Sequence, residues 1–259
     1  MNIHNTAIVS DKAQIGENVS IGPFTIIEDD VIIGKNTEIH ANVLIKNGAR
    51  IGENCKVFHA AVIAELPQDL KFDPSVQTKA IIGNNATIRE FVTIHRGTDA
   101  TGKTTIGDNC LIMAYAHIAH DCHLGNNIIM ANATQLGGHV TAEDWVIFGG
   151  GTLVHQFTAI GCHAMIQGGS KITQDVPPYS LAGREPVKIE GLNKIGLRRR
   201  GFTNEQIDEI EKFYKYIFHK GLNISAGIKK YLEENPHPNE YVQHYIDFIK
   251  NSKRGIVFK

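Results

Sequence analysis

An apolar or small residue returns at every sixth position between Ile106 and Ile172, and this period constrains the fold more than any other feature of the chain. An α-helix repeats every 3.6 residues and a β-strand every two, so neither alone explains a period of six. The period is typical of a parallel β-helix whose coils have flat sides of six residues. The positions concerned are Ile106, Ile112, Ile118, Leu124, Met130, Leu136, Ala142, Phe148, Val154, Ile160, Ile166 and Ile172.

The same spacing runs from Ile3 to Ile63 and resumes at Ile82, Ile88 and Ile94. Two polar stretches without apolar anchors, residues 65–78 and 96–104, interrupt it and are predicted to be loops. The whole series contains 26 hexads, which at three hexads per coil make about nine coils. We therefore predict a mainly β domain over residues 1–187, built as a parallel β-helix of hexapeptide repeats.

The pattern changes after residue 187. Thr203 and Gln206 match a capping box, and an apolar stripe with helical spacing follows them. Residues 188–259 are predicted to form a small C-terminal α-helical domain. The net charge is −6 for residues 1–187 and +5 for residues 188–259, which favours an acidic partner for the C-terminal part.

The four cysteines show no paired spacing, so we expect reduced thiols and a cytoplasmic protein. The first hexad begins at Ile3, and no segment resembles a signal peptide. No stretch approaches the length of continuous apolar sequence that a membrane span needs, so none is expected. We also expect no nucleic-acid partner.

The unbroken run from Ile106 to Ile172 predicts which side chains stack. Residues separated by three hexads should lie one coil apart and point the same way. His120 then lies in a column with Gly138 and Gln156, and Asp121 in a column with His139 and Phe157. A histidine beside exposed glycine amides offers a general base and an oxyanion donor, as acyl transfer requires. Neighbouring residues on a strand point apart, so strand alternation alone does not bring Asp121 to His120.

Several motifs together carry a resemblance that covers essentially the whole chain. The chain resembles the UDP-N-acetylglucosamine O-acyltransferases, the enzymes of the first step of lipid A biosynthesis. The motifs are the hexapeptide series, Gln68-Asp-Leu-Lys71, Thr93-Ile-His-Arg-Gly-Thr98, His117-Ile-Ala-His-Asp-Cys122, Gly138-His139, Val154-His-Gln-Phe157, Gln174-Asp-Val-Pro-Pro-Tyr179 and Arg199-Arg-Gly-Phe202.

The resemblance implies a left-handed β-helix and a homotrimer with active sites between subunits. It implies transfer of an (R)-3-hydroxyacyl group from acyl carrier protein to the sugar 3-hydroxyl of UDP-N-acetylglucosamine. The acyl donor is carried on the phosphopantetheine of acyl carrier protein, so no separate cofactor and no metal are expected.

The resemblance also implies roles for individual residues. His120 matches the general base, Asp121 the residue that orients it, and Gly138 the oxyanion donor. Met165 and Gly168 match the region that limits acyl-chain length, and a glycine there predicts a long chain. The matches to substrate-binding residues are Gln68, Asp69 and Lys71 for the sugar, His117, His139, His155 and Gln156 for the sugar and phosphates, and Asn193, Arg199 and Arg200 for the nucleotide.

The chain departs from the family pattern in one place, and three alternative functions remain open. Ile195 stands where the family often carries a glutamate, so the ribose contact there is undetermined. The nearest alternative is the N-acyltransferase of the same pathway, which normally has an additional N-terminal domain. A second is a zinc enzyme like the γ-class carbonic anhydrases, using His117, His120 and His123. A third is a non-enzymatic solenoid such as an ice-binding protein, which would need repeated threonine columns.

Overall fold

The computed structural model describes residues 2–219 and 223–258. Its first 26 strands are two to four residues long and pair in parallel into three long sheets, called sheets I, II and III here. Consecutive strands belong to consecutive sheets, so the chain winds around a three-sided prism, as the six-residue period predicts. The number of these short strands equals the number of predicted hexads.

The strands are grouped by sheet. Sheet I consists of Asn2–Ile3, Ser20–Ile21, Glu38–Ile39, Lys56–Val57, Thr87–Ile88, Leu111–Ile112, Ile129–Met130, Ile147–Phe148, Met165–Ile166, Ser180–Gly183 and Lys188–Leu192. Sheet II consists of Ile8–Val9, Ile26–Ile27, Leu44–Ile45, Val62–Glu65, Thr93–His95, His117–Ile118, Gln135–Leu136, Leu153–Val154 and Lys171–Ile172. Sheet III consists of Gln14–Ile15, Ile32–Ile33, Ala49–Ile51, Lys79–Ile82, Lys103–Ile106, His123–Leu124, Thr141–Ala142 and Ala159–Ile160.

Each prism edge is a column of turns, named here by the two sheets that it joins in chain order: edge I–II, edge II–III and edge III–I. The two predicted loops, 65–78 and 96–104, comprise residues 66–78 and 96–102 in the structure, and both leave the prism at edge II–III. Elsewhere three hexads complete one coil, as in the pairing of His117 with Gln135. All twelve anchors from Ile106 to Ile172 are buried in the prism core.

Many of the turns place one residue in the left-handed backbone region, where asparagine and aspartate are the best tolerated side chains after glycine. Asn18, Asn36 and Asn54 occupy this position on edge III–I, and their side-chain amides form a ladder with N···O distances of 3.1 and 3.2 Å. Edge III–I therefore gains hydrogen bonds between coils in addition to those of the sheets.

After the prism, the last two strands of sheet I form an antiparallel pair, and the described residues beyond them, up to residue 258, contain four helices. The helices are α1 (Lys194–Arg199), α2 (Asn204–His219), α3 (Ile224–Glu234) and α4 (Glu240–Asn251). The capping box is present, since Gln206 N–H donates to Thr203 Oγ1 and Thr203 N–H donates to Gln206 Oε1. The predicted division at residue 187 stays a prediction; the helices begin at Lys194.

Within the described ranges, no helix combines the length and the apolar character that crossing a bilayer would require. The four cysteines are all free thiols, as the sequence predicts.

Candidate active site

The centre of the site is His120, in the turn of edge II–III between the strands His117–Ile118 and His123–Leu124. Its side chain is 14% exposed, and its Nδ1 lies 2.8 Å from Oδ2 of the fully buried Asp121 carboxylate. The alternation of a regular strand, in which neighbours point apart, does not hold here. Asp121 has a φ of +59°, so the chain reverses in a turn there and the two side chains converge.

The Asp121 carboxylate is surrounded by hydrogen-bond donors from the 96–102 loop. The N–H of Thr98 lies 3.0 Å from Oδ1, the Thr98 hydroxyl lies 2.7 Å from Oδ2, and the Thr101 hydroxyl also donates to Oδ1. Burial acts to raise the pKa of Asp121, but the hydrogen bonds from Thr101, His120 and Thr98 outweigh it and hold the pKa below its usual value. The carboxylate is therefore ionised at neutral pH.

Gly138 lies one coil beyond His120, as the predicted column requires. A Cβ on Gly138 would come within 2.7 Å of Cε1 of His120, so the ring fits against the glycine only because no side chain is present. In residues 2–219 and 223–258, the Gly138 N–H donates to no protein acceptor, whereas the N–H groups of Gly137 and His139 are bonded to Val154 and His120 carbonyls. One backbone donor thus remains available beside the imidazole.

Three further histidines surround this centre. His139 stacks on Phe157 with ring centroids 4.4 Å apart, and its Nε2 lies 3.7 Å from Asp121 Oδ2. His117 Nδ1 lies 2.7 Å from the Thr93 hydroxyl; burial and the nearby charge of His120 lower the pKa of His117. His155, like Gln156 beside it, is exposed one coil further along the same edge.

The 66–78 loop brings Gln68, Asp69 and Lys71 to the same edge, two coils before His120. Asp69 Oδ1 accepts a hydrogen bond from the N–H of Lys71 at 2.9 Å, which fixes the carboxylate in a local turn. Arg96 joins this loop to the next one: its guanidinium donates to the Pro74 carbonyl at 3.5 Å and lies over the Phe72 ring at 5.8 Å.

The remaining predicted residues lie elsewhere on the prism. Met165, Asn193 and Arg199 line a groove of about 500 Å³ on sheet I, together with the exposed Ile195. Gly168 is exposed on edge I–II, above Gly150. The structure therefore forms two separate groups of predicted residues. One surrounds His120 on edge II–III, and the other lines the groove on sheet I.

Arg200 belongs to a third group, on edge III–I. Its guanidinium lies 3.1 Å from Nδ1 of His163 and 5.1 Å from the centroid of Trp145. Burial, followed by the Arg200 charge, lowers the pKa of His163 to about 4, so this imidazole is neutral and accepts from the guanidinium. Asn193 Nδ2 donates to the His163 carbonyl at 3.0 Å, which ties the start of α1 to the same turn.

The sequence motifs gave no role to Thr93, Thr98, Thr101 or Arg96. The three threonines hydrogen-bond to His117 or Asp121, and Arg96 contacts the 66–78 loop. Three of these four lie within the Thr93-to-Thr98 motif, so the motif was visible although its contacts were not.

The side chains of His120, Asp121 and His139 lie close enough to share a metal ion. The two oxygens of Asp121 already accept hydrogen bonds from Thr98, Thr101 and His120, which favours acid–base chemistry here over metal ligation. His117 and His123 are held instead by Thr93 and Thr105 hydroxyls, so the histidine triplet of the zinc-enzyme alternative does not form one ligand set.

Comparisons with known proteins agree on one family. Residues 175–257 match the family described as "Udp N-acetylglucosamine O-acyltransferase; Domain 2", and residues 12–47 and 103–138 match the bacterial transferase hexapeptide repeat. The chain is 48% identical to the acyl-(acyl-carrier-protein)–UDP-N-acetylglucosamine O-acyltransferase of Janthinobacterium sp. (strain Marseille), with 98% of each chain covered. It is 47% identical to the enzyme of the same name from Aliarcobacter butzleri (strain RM4018), with 99% of this chain and 98% of that protein covered.

Solved structures lead to the same result. The UDP-N-acetylglucosamine acyltransferase of Bacteroides fragilis superposes with a TM-score of 0.95 at 45% identity, over 98% of this chain and 99% of that chain. That of Campylobacter jejuni superposes with a TM-score of 0.94 at 40% identity, over the whole of both chains. The chain is thus an acyltransferase with a left-handed β-helix and C-terminal helices, and it belongs to the UDP-N-acetylglucosamine O-acyltransferase family.

Proposed function

We propose that this chain moves an (R)-3-hydroxyacyl group from acyl carrier protein to the 3-hydroxyl of UDP-N-acetylglucosamine, the first step of lipid A biosynthesis, with His120 as general base. The observation that carries the proposal is the His120–Asp121 pair beside the available N–H of Gly138. The names of the relatives supply the two substrates, and the geometry supplies the roles of the residues.

The hydrogen bond to Asp121 determines which nitrogen of His120 can act as a base. A carboxylate only accepts hydrogen bonds, so Nδ1 of His120 carries the proton that Asp121 binds. In the neutral ring, Nε2 is then a free acceptor, and it lies on the side of the ring that faces Gly138. The arrangement is that of a base oriented by a buried carboxylate.

The reaction then proceeds by direct attack. The sugar 3-hydroxyl oxygen bonds to the thioester carbonyl carbon while its proton passes to Nε2 of His120. The carbonyl oxygen becomes an oxyanion and accepts from the Gly138 N–H. When the carbon–sulfur bond breaks, the phosphopantetheine thiolate leaves and takes the proton from His120, which restores the neutral imidazole.

The other side chains of edge II–III would bind the acceptor substrate. Asp69, held by its own turn, can accept hydrogen bonds from sugar hydroxyls, and Gln68 and Lys71 are on the same loop. His139, His155 and Gln156 extend along the edge in the direction of the phosphates, with His117 on the neighbouring strand. These positions make edge II–III a continuous polar surface for a nucleotide sugar.

A second copy of the chain completes the site in this proposal. His120 lies on edge II–III, whereas Met165 and Asn193 lie on sheet I and Arg200 on edge III–I. Because the prism core separates these surfaces, one chain cannot place all of them on one substrate. A closed homotrimer of parallel prisms would bring edge II–III of one subunit beside the nucleotide residues of its neighbour.

The groove on sheet I suits the remaining parts of the substrates. Asn193 and Arg199 can bind the nucleotide end, and the groove beside Met165 is largely apolar. Gly168 leaves the neighbouring surface without a side chain, so we expect a long hydroxyacyl chain. The charge of +5 over residues 188–259 matches an acidic carrier protein, and the free thiols fit a cytoplasmic enzyme.

The experiment is an assay of UDP-N-acetylglucosamine acylation with a series of 3-hydroxyacyl carrier proteins of increasing chain length. The wild type should prefer a long chain, and its product should lose the chain in mild alkali because an ester has formed. His120→Ala should lower kcat by about 10²–10⁴-fold.

His4→Ala, at an exposed histidine of the first coil, serves as the control and should leave kcat unchanged. Near-normal turnover of His120→Ala would refute the role of His120. An alkali-stable amide product would refute O-acyl transfer itself.

A further inference from the structure

A second cluster of reactive side chains lies on edge III–I, away from the His120 edge. Glu143 and Cys162 occupy this edge on successive coils, and His244 reaches them from α4. One ligand atom from each side chain lies within 4.8 Å of the other two, and His244 Nε2 is 2.8 Å from Glu143 Oε2. The three residues have no part in the acyl transfer proposed above.

The surroundings hold these groups in place and leave one side open. The Cys162 N–H donates to Glu143 Oε2 at 2.7 Å, which fixes the carboxylate against the next coil. The three side chains are half-buried at the base of a groove of about 490 Å³, whose walls include Asp144, Tyr179 and Tyr241. The groove has room for a water molecule or another small ligand beside the cluster.

The cluster also favours positive charge. Nε2 of His244 faces Oε2 of Glu143 at 2.8 Å, and the Cys162 sulfur lies within 4.8 Å of a ligand atom of each. A carboxylate and a thiolate beside an imidazole are groups whose ligand atoms attract a cation. A divalent metal ion would interact with the same groups more strongly than a singly charged cation, because it carries twice the charge and binds their lone pairs directly.

We propose that Glu143, Cys162 and His244 form a binding site for a divalent transition metal ion of the zinc class. The ligands are the Cys162 thiolate, Nε2 of His244 and a carboxylate oxygen of Glu143, and the fourth position faces the groove. On binding, the Cys162 thiol releases its proton to solvent, and Nε2 of His244 binds without a proton, as the neutral imidazole. One sulfur, one imidazole and one carboxylate suit Zn²⁺ better than Mg²⁺ or Ca²⁺, which prefer oxygen ligands alone.

Such a site would link α4 to two coils of the prism. Cys162 and Glu143 belong to the β-helix and His244 to the helical part, so one ion would join the two by three bonds. Because a metal that binds only the folded chain stabilises it, the ion should raise the thermal midpoint of unfolding.

The test uses full-length, tag-free protein with Zn²⁺ and Co²⁺ as probes. Wild type should bind one Zn²⁺ per chain with a Tm several degrees higher, and Co²⁺ should give a thiolate-to-cobalt absorption band in the near ultraviolet. Cys162→Ser should abolish this band, and His244→Gln and Glu143→Gln should each weaken metal binding by about tenfold or more. His237→Gln, at an exposed histidine outside the cluster, is the matched control and should bind as wild type does.

The other three cysteines remain in Cys162→Ser and act as an internal control for the source of the band. If wild type binds less than one ion per chain, or if Cys162→Ser keeps the cobalt band, the assignment is wrong. Metal-free circular dichroism of each variant separates lost ligation from lost folding, since Glu143→Gln is nearly isosteric and should fold.

Discussion

The Thr98 side chain shows how much of the proposed chemistry depends on residues that would not touch the substrate. It is buried, and both its N–H and its hydroxyl donate to the carboxylate of Asp121. Asp121 in turn accepts from Nδ1 of His120 and so sets the direction of the ring. Thr98 is therefore a positioning residue for the base.

We predict that Thr98→Val lowers kcat by about tenfold and leaves KM nearly unchanged, because one charge-assisted hydrogen bond of about 1.5 kcal/mol is lost while the surface for substrate is kept. Steady-state kinetics on both substrates measure the two constants separately. Thr98→Ser keeps a hydroxyl and should restore most of kcat.

Thr104→Val is the matched control for this prediction. Thr104 is fully buried, and within residues 2–219 and 223–258 its hydroxyl has no hydrogen-bond partner. An equal loss of kcat in Thr104→Val would show that the effect of Thr98→Val comes from core packing rather than from Asp121.

At the scale of single residues, the sequence predicted contacts only where the period was unbroken. His120 and Gly138 are separated by one full coil of an uninterrupted run, and they are in contact. The hydrogen bond of Asp121 depends on a left-handed turn that strand alternation does not describe, and that of Thr98 on a loop outside the repeat. Neither could be read from the spacing.

The coil is the element that aligns the site. His117 pairs with Gln135, and the turn that follows each strand carries His120 and Gly138 to neighbouring positions on edge II–III. The register of one coil against the next therefore determines whether His120, the proposed base, lies beside Gly138, the proposed oxyanion donor.

Inserting one glycine between Asn126 and Asn127 should lower kcat by about 10²-fold or more, because a shift of the following coil by one residue would move Gly138 away from its position opposite His120. The assay is combined with circular dichroism, which should still show a β-helix. The same insertion between Glu17 and Asn18, on the same edge five coils earlier, should leave most activity. Equal loss in both variants would mean that the insertion disrupts folding.

The strands themselves were predictable because each hexad has an apolar anchor that the prism core buries. The antiparallel pair Ser180–Gly183 and Lys188–Leu192 was not, since it has no six-residue period and Lys188–Leu192 falls within the predicted helical domain. The structure of this segment is determined by its pairing with the end of sheet I, which the six-residue repeat does not predict.

The whole molecule distributes the proposed site over separate surfaces, with His120 on edge II–III and Arg200 on edge III–I. If two subunits share each site, two inactive variants can complement one another. Mixed trimers refolded from equal amounts of His120→Ala and Arg200→Ala should recover about a quarter of wild-type activity, because one interface in four then combines an intact His120 with an intact Arg200.

Activity of the two variants mixed without refolding is the baseline for this experiment, since subunits of a stable trimer would not exchange. If the activity of the refolded mixture is no greater than the sum of the activities of the two separate variants, the hypothesis that two subunits share each site is contradicted. Mass measurement in solution gives the oligomeric state directly and should show three chains.

The two loops that interrupt the six-residue period, 66–78 and 96–102, both lie on edge II–III. Lys56 pairs with Thr87, and Thr87 pairs with Leu111. In both pairs the two partners are farther apart in sequence than in a regular coil. Sheets I, II and III nevertheless continue through both coils without a break. The extra residues leave the solenoid only at edge II–III, where loop length costs little free energy. The coils therefore stay in register while loops of different length are accommodated on edge II–III, the edge that carries His120. Loops on this edge can therefore gain or lose residues that would contact the acceptor substrate, while the stacking of the coils stays unchanged.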